Sequence, residues 1–521
     1  MRLSKGRTRE GNARQARLGS GPYLVATLAL LLAGCGRLGT VLTVAADGGG
    51  AAVPDAGGEQ SGDPDAGFDG GAPDAGFDGG APDAGSVSTL RAGAAAVDIT
   101  PGPGVPLGGY GGTPRRKTDA LSLAAQGAAA AGKCPDPERG VASDFFTANQ
   151  GAIDPLYARA LVLDDGATRA ALIKIDAIGM TRSLRDDLVP FAEALGIAPE
   201  LFAVVATHSH SGPATLSKQL LWELLAEDCF NGPAYRGYLE GAARALREAA
   251  AALRPAKAYL GVSQLYGASQ NRRDRPGIFD PELALFRIDD DQGHPLAALF
   301  NFAIHGTVYG QENLLFSADV MGEAERRIAQ GLPSALPIFT NAAEGDVSPA
   351  NGLASGDLLG DAVLALWSTS QPLEVKLAGV FEDVQMPPAQ FHPGCMPVPG
   401  TTTSLCDLLP GVQPTLKLDA SWLSEKGPFQ AWRIGPVALA FIPGEPLTEI
   451  GWEIKSRGAA LGFTHTFIIA LANDHLSYMP TLSEYNRGQY EGQSTLYGPT
   501  TGQVVVDSAA EVLGLLPPLA H

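Results

Sequence analysis

Histidine is scarce in this chain, eight residues in 521, so positions where it clusters are informative. Cysteine is scarcer still: Cys35, Cys134, Cys229, Cys395 and Cys406 have spacings that match no zinc-cysteine site. Basic residues are in deficit, with 37 Lys and Arg against 56 Asp and Glu and a formal net charge of −19. No basic run follows the N-terminal segment, which argues against nucleic acid as a partner. The apolar stretch at residues 23–32 falls short of the about 20 residues that a spanning helix requires.

Composition divides the chain into three parts. Residues 1–35 read as an export signal: Arg2, Lys5, Arg7, Arg9, Arg14 and Arg17 precede the short apolar core. That core ends in Leu32-Ala33-Gly34-Cys35, which resembles the lipobox of bacterial lipoproteins. The resemblance implies lipidation at Cys35 and a membrane anchor. With Gly36 next, an exported lipoprotein of the outer membrane or cell surface is expected. Residues 36–90 repeat Pro-Asp-Ala-Gly-Phe-Asp-Gly-Gly-Ala from Pro64 and from Pro73. Such a Gly-, Pro-, Asp- and Ala-rich stretch cannot bury enough surface to offset its chain entropy and reads as a disordered linker. Residues 91–521 carry the apolar material of one large domain. An exported chain permits disulfides. Cys395 and Cys406 flank a short loop and are expected to pair, as are Cys134 and Cys229.

The histidines concentrate where strands should end. Residues 202–206 form a short apolar run leading into Thr207-His208-Ser209-His210-Ser211-Gly212-Pro213. If extended, an H-x-H segment aims both rings to one side. Residues 296–304 end at His305, and residues 337–343 lead into Glu344-Gly345-Asp346-Val347-Ser348-Pro349. Residues 437–442 end in Pro443-Gly444-Glu445-Pro446; residues 466–471 run into Asn473-Asp474 and then Tyr478. Ligands of α/β sheets gather outside the carboxyl ends of the strands, so one shared pocket is expected.

Between these runs, residues 157–163 and 170–175 predict a hairpin across Asp164-Asp165-Gly166-Ala167-Thr168. Helices are predicted over 183–195, 233–254, 320–330 and 356–368, and strands over 258–262 and 283–288. The fold class is α/β, with mixed β-sheets and flanking helices.

His208, His305, Glu445 and Tyr478 make a reasonable zinc set, since catalytic zinc sites commonly keep three protein ligands and one open position. A His/Glu/Tyr set also admits iron or manganese. His210, beside the metal, is placed to move protons or stabilise an oxyanion. Glu445 can alternatively cap a helix starting near Leu447, and Ser348 can be a nucleophile or a turn cap. The serine does not sit in a Gly-x-Ser-x-Gly elbow.

The blocks Thr207–Pro213, Gly345-Asp346-Val347-Ser348-Pro349 and Tyr490-Glu491-Gly492-Gln493-Ser494-Thr495-Leu496-Tyr497-Gly498-Pro499 resemble the neutral/alkaline (non-lysosomal) ceramidase family. So do Asp98-Ile99-Thr100, Leu156-Tyr157-Ala158-Arg159-Ala160, Phe302-Ala303-Ile304-His305 and Pro443-Gly444-Glu445, all in the same order. The resemblance implies a zinc-dependent amidohydrolase that cleaves the N-acyl bond of ceramide by metal-activated water. By position, the family's Zn2+ ligands fall on His208, His305, Glu445 and Tyr478. Its substrate-binding and catalytic positions fall on His210, Arg272 and Tyr490, and its essential serine on Ser348. Arg272 lies in Asn271-Arg272-Arg273, without the usual Asn-Arg-Ser-Pro continuation, and Gly306 replaces the usual proline after His305. The family's C-terminal β-sandwich has no counterpart in residues 91–521, so a single catalytic domain is expected.

The expected activity is hydrolysis of ceramide or a related lipid amide by a monomer held at a membrane by its lipid. The alternatives are a metallohydrolase of the same fold acting on a non-lipid amide or ester, and a catalytically silent surface-binding lipoprotein.

Overall fold

The computed structural model describes residues 90–112, 114–117, 134, 136–391, 416–420 and 422–518. The leader, Cys35, the linker through residue 89 and the Cys395–Cys406 pairing lie outside the described residues. Among the described residues no helix is long and apolar enough to cross a membrane.

The fold is mixed α/β. In chain order the first strands are β1 (Arg91–Asp98), β2 (Tyr157–Asp164), β3 (Arg169–Ile175), β4 (Phe202–Ala206), β5 (Arg254–Gln264), β6 (Ser269–Asn271), β7 (Glu282–Asp290), β8 (Pro295–Phe302) and β9 (Leu336–Asn341). All but β6 join one nine-stranded sheet of order β4-β3-β2-β1-β5-β7-β8-β9. β10 (Val347–Pro349) pairs with β6, and β11 (Gln371–Leu373) adds the ninth strand beside β5. Residues Leu377–Gln385 (β12) open a second sheet, and β13 (Gln390–Phe391) with β14 (Leu416–Lys417) make a small ribbon. The second sheet continues through β15 (Lys426–Ile434), β16 (Val437–Phe441) and, past the short β17 (Glu445–Pro446), β18 (His465–Ile469). Finally β19 (Tyr478–Met479) pairs in parallel with β17.

The predicted hairpin forms as β2 and β3, antiparallel with Leu161 opposite Leu172. Helices occupy Arg182–Glu193, Gly232–Ala251, Asp319–Gly331 and Ala354–Trp367, close to the expected bounds. The helix expected to reach residue 254 stops at Ala251, because Arg254 and Pro255 already belong to β5 and Ala92 and Arg91 of β1 pair with them. Proline is acceptable there because β1 pairs with β5 only at its first residues.

Parallel pairing decides where the polar exits meet. β3–β4, β8–β9 and β16–β18 are parallel, so each pair ends at a common edge. The two large sheets are then tied together at that edge. Ala206 donates its amide to Leu471, Ala470 donates to Asn341, and Val205 bridges to Ala472. The buried side chain of Asn341 donates to the carbonyls of Thr207 and Ile304, joining the ends of β4, β8 and β9. On the far side, Asn473 accepts from the amide of Val204 and donates to Gln430. Buried amides satisfied in this way fix one arrangement of strand ends, because shifting any strand strands a polar group.

Cys134 and Cys229 form the expected disulfide. It ties the segment before residue 136 to the turn preceding the helix Gly232–Ala251.

Candidate metal centre

His208, His210, His305, Glu445 and Tyr478, remote in sequence, converge at the common strand edge. The extended H-x-H geometry expected after β4 does not form: His208 has a φ of 70°. The amides of His208 and Ser209 both turn onto the carbonyl of Ala177, so the chain wraps that oxygen instead of continuing as a strand. The two rings still meet, with Nε2 of His210 3.4 Å from Nε2 of His208.

The rings of His208 and His305 are each oriented by a backbone carbonyl on the outer side. Nδ1 of His208 lies 2.7 Å from the carbonyl of Ile178, and Nδ1 of His305 lies 2.9 Å from the carbonyl of Glu344. A carbonyl can only accept, so both rings carry a proton on Nδ1 and turn Nε2 inward. Those nitrogens face a single carboxylate oxygen: Oε2 of Glu445 is 3.2 Å from Nε2 of His208 and 3.4 Å from Nε2 of His305. The His305 contact lacks hydrogen-bond geometry, and both His305 Nε2 and Glu445 Oε2 are buried without a hydrogen-bond partner.

Three inward-facing acceptors fit a cation. A tetrahedral ion with bonds of about 2.0–2.1 Å separates its ligand atoms by roughly 3.3–3.4 Å. The observed separations of 3.2 and 3.4 Å match that spacing. The groups able to hold a metal ion include His208 with His210 and His305, and His208 with Glu344 and Glu445.

The electrostatics agree. Burial, then the neighbouring Arg272 and His208, depress the His305 pKa to about 3, so the ring is a neutral donor at pH 7. Burial and then the adjacent His208 and His305 push His210 well below the usual imidazole range. Burial alone would raise Glu445, but His208, His305 and His475 together hold it well below the usual carboxylate range. A neutral His305 imidazole and an ionised Glu445 carboxylate are protonation states that metal binding requires.

Glu445 does not cap the following helix. It sits in β17, donates its amide to Ser477 and stands in register with Tyr478 of β19. The capping role falls to Asp346, whose Oδ1 accepts from the amide and hydroxyl of Thr448. The chain passes Glu445 closely: a Cβ on Gly345 would lie 2.7 Å from the Glu445 carbonyl oxygen. Only glycine fits there.

Arg272 joins the cluster from just past the end of β6. Its Nη2 donates to the Tyr478 hydroxyl at 3.0 Å and to the Gly345 carbonyl at 2.8 Å, while Nε donates to Glu491 at 2.7 Å. Arg273, which breaks the expected motif, is fully buried and bound to Glu484 and Glu491. The half-exposed ring of Tyr490 meets Tyr478 edge-on at 5.5 Å. Ser348 lies in β10 opposite Gln270, beside Val347, whose carbonyl accepts the amide of His305.

Several participants were not singled out from sequence. His475 places Nε2 2.9 Å from Oε1 of Glu445 and stacks on Trp222 at 4.7 Å. Arg115, fully buried, donates to the carbonyls of Gly108 and His210 and so fixes the backbone of the H-x-H turn. Glu344 is buried beside the ligands, where burial and then Glu445 push its pKa well above the usual range. The scarcity of histidine was the available signal for His475; nothing local marks Arg115.

A family model described as neutral/alkaline non-lysosomal ceramidase, N-terminal, matches residues 143–358 and 412–507, more than half of the chain. The chain belongs to that family. Membership makes it a ceramidase-family hydrolase. It is 23% identical over 453 residues to the neutral ceramidase of Pseudomonas aeruginosa, covering 69% of this chain and 67% of that protein. It is 24% identical over 398 residues to the neutral ceramidase of Mycobacterium tuberculosis, covering 59% and 62%. The chain thus spans about two thirds of the length of these relatives. Its fold matches the crystal structure of the Pseudomonas aeruginosa neutral ceramidase with a TM-score of 0.65, at 22% identity over 82% of this chain and 75% of that one. A structure described as ceramidase complexed with C2 gives a TM-score of 0.66 at 21% identity, with the same coverage.

Proposed function

We propose that this ceramidase-family protein is a zinc-dependent amidohydrolase that cleaves the N-acyl bond of ceramide or a related lipid amide. The observation that supports the metal is His305 Nε2 and Glu445 Oε2, both buried without a hydrogen-bond partner and set against His208 Nε2. The family and its neutral ceramidase members support the substrate class.

His208, His305 and Glu445 would hold the ion, and Tyr478 would supply a fourth ligand. A bound divalent cation supplies Lewis acidity and lowers the pKa of water toward neutrality. The remaining chemistry belongs to the chain. His210, neutral and buried beside His208, takes a proton from the attacking water and delivers it to the departing amine nitrogen. Arg272 keeps the Tyr478 oxygen in place through its 3.0 Å contact and adds fixed positive charge near the amide oxygen. Tyr490, at the exposed side of Tyr478, contacts substrate, and Ser348 shapes the pocket wall. In this reading the N-terminal signal exports the chain, and the lipid on Cys35 brings residues 91–521 to a membrane.

The test is release of labelled fatty acid from ceramide in detergent micelles by the zinc-loaded chain. Turnover lost on chelation and restored by zinc is the expected result. Stoichiometric metal without turnover overturns the ceramide assignment and moves the search to other amides and esters.

A further inference from the structure

Glu344 leaves the end of β9 with its main chain and side chain in different tasks. Its carbonyl oxygen accepts the Nδ1 proton of His305. Its side chain is fully buried, and neither carboxylate oxygen has a hydrogen-bond partner on another residue.

The other buried acids around the centre are satisfied. Asp346 accepts from Thr448 and Asn271, Glu491 from Arg272 and Arg273, and Asp474 from Ser424 and the amide of His475. Glu344 alone among these points unpaired at the ligands. One of its oxygens, a ring nitrogen of His208 and an oxygen of Glu445 all lie within 4.8 Å of one another. Two carboxylates that close and sealed from water cannot both stay ionised unless a positive charge stands between them. A divalent cation offsets both, and with neutral imidazoles it leaves the buried group with no net charge.

We propose that Glu344 is an additional ligand of the cation held by His208, His305 and Glu445. This rests on the metal reading given above. A second carboxylate makes the donor set richer in oxygen, which shifts its preference toward iron and manganese relative to the four-residue set alone.

The test uses cobalt(II) as a visible probe in the full chain. Adding a carboxylate ligand raises coordination number and weakens the d–d absorption. Glu344→Gln should therefore change the position and raise the intensity of those bands. Chelator competition should show cobalt affinity falling by more than about 100-fold, beyond the 10–100-fold loss typical of residues that act through a ligand. Glu344→Asp keeps the charge but shortens the reach, so its bands should also change; it serves if the Gln variant does not fold. Spectra superimposable on the unsubstituted chain, with affinities within a few-fold, overturn the proposal. If the unsubstituted chain binds no cobalt, or binding survives His208→Ala, the metal reading itself falls. If His208→Ala abolishes binding while the Glu344 variants are silent, only the additional ligand falls.

Discussion

The two oxygens of Glu445 face different partners: Oε1 lies 2.9 Å from Nε2 of His475, while Oε2 faces Nε2 of His208 and Nε2 of His305. The carboxylate is thereby aimed rather than merely present. Outer hydrogen bonds of this kind fix a ligand's rotamer and its basicity.

Replacing His475 should therefore weaken the centre without removing a ligand. His475→Ala is expected to lower metal affinity and kcat/KM by about 10–100-fold. His475→Gln, which keeps a donor near the same place, should recover part of the loss. Metal titration of the three proteins checks this; equal affinities would show that Glu445 needs no outer partner.

Gly345 should tolerate nothing larger. The added Cβ of Gly345→Ala meets the Glu445 carbonyl at 2.7 Å and the Pro446 carbonyl at 3.1 Å, both backbone atoms that cannot swing aside. A stability loss of about 1–3 kcal/mol is expected. Displacing Glu445 should also reduce kcat by about 100-fold for a shift on the order of 1 Å. Thermal unfolding and steady-state kinetics measure the two effects separately.

Glu227 predicts a pH dependence. Burial raises its pKa to about 7, against the partial compensation of amides from Ser217 and Leu216 and the charge of His475. Between the ordinary value of 4.5 and about 7 the folded chain holds a proton that the unfolded chain has lost. Stability from this group therefore falls as pH rises through that window, by at most roughly 1.4 kcal/mol per pH unit, and levels off above it. Glu227→Gln should flatten that slope in urea unfolding measured from pH 4.5 to 8. An unchanged slope would refute the assignment.

The Cys134–Cys229 disulfide closes a sequence separation of 95 residues. Cys134→Ser with Cys229→Ser should lower stability by about 2–4 kcal/mol. Metal binding should persist, since neither cysteine belongs to the groups that His208 forms with its possible co-ligands. Comparison of unfolding midpoints and metal stoichiometry tests both statements.

Much of this molecule is legible along the chain. The apolar runs ending at His208, His305, Glu344, Glu445 and Tyr478 are strands or strand exits, and their ends do share one site. Periodicity reports burial faithfully, and glycine, proline and asparagine mark the exits. His208 shows where such reading stops. Its ring points as expected, but through a left-handed turn around the Ala177 carbonyl, a partner 31 positions away in sequence.

The sequence by itself determined the α/β character, the residue types at the strand ends and the family, because these depend on local pattern and ordered motifs. Tertiary structure alone decided which oxygen of Glu445 meets which histidine, that Asp346 caps the helix at Thr448, that Arg273 finds buried acids, and that Glu344 points unpaired at the ligands. Those outcomes depend on parallel strand pairs ending at a common edge and on buried amides that lock their register. Hydrogen-bond geometry of that kind is set across the sheets, by residues hundreds of positions apart, and leaves no periodic trace in the chain.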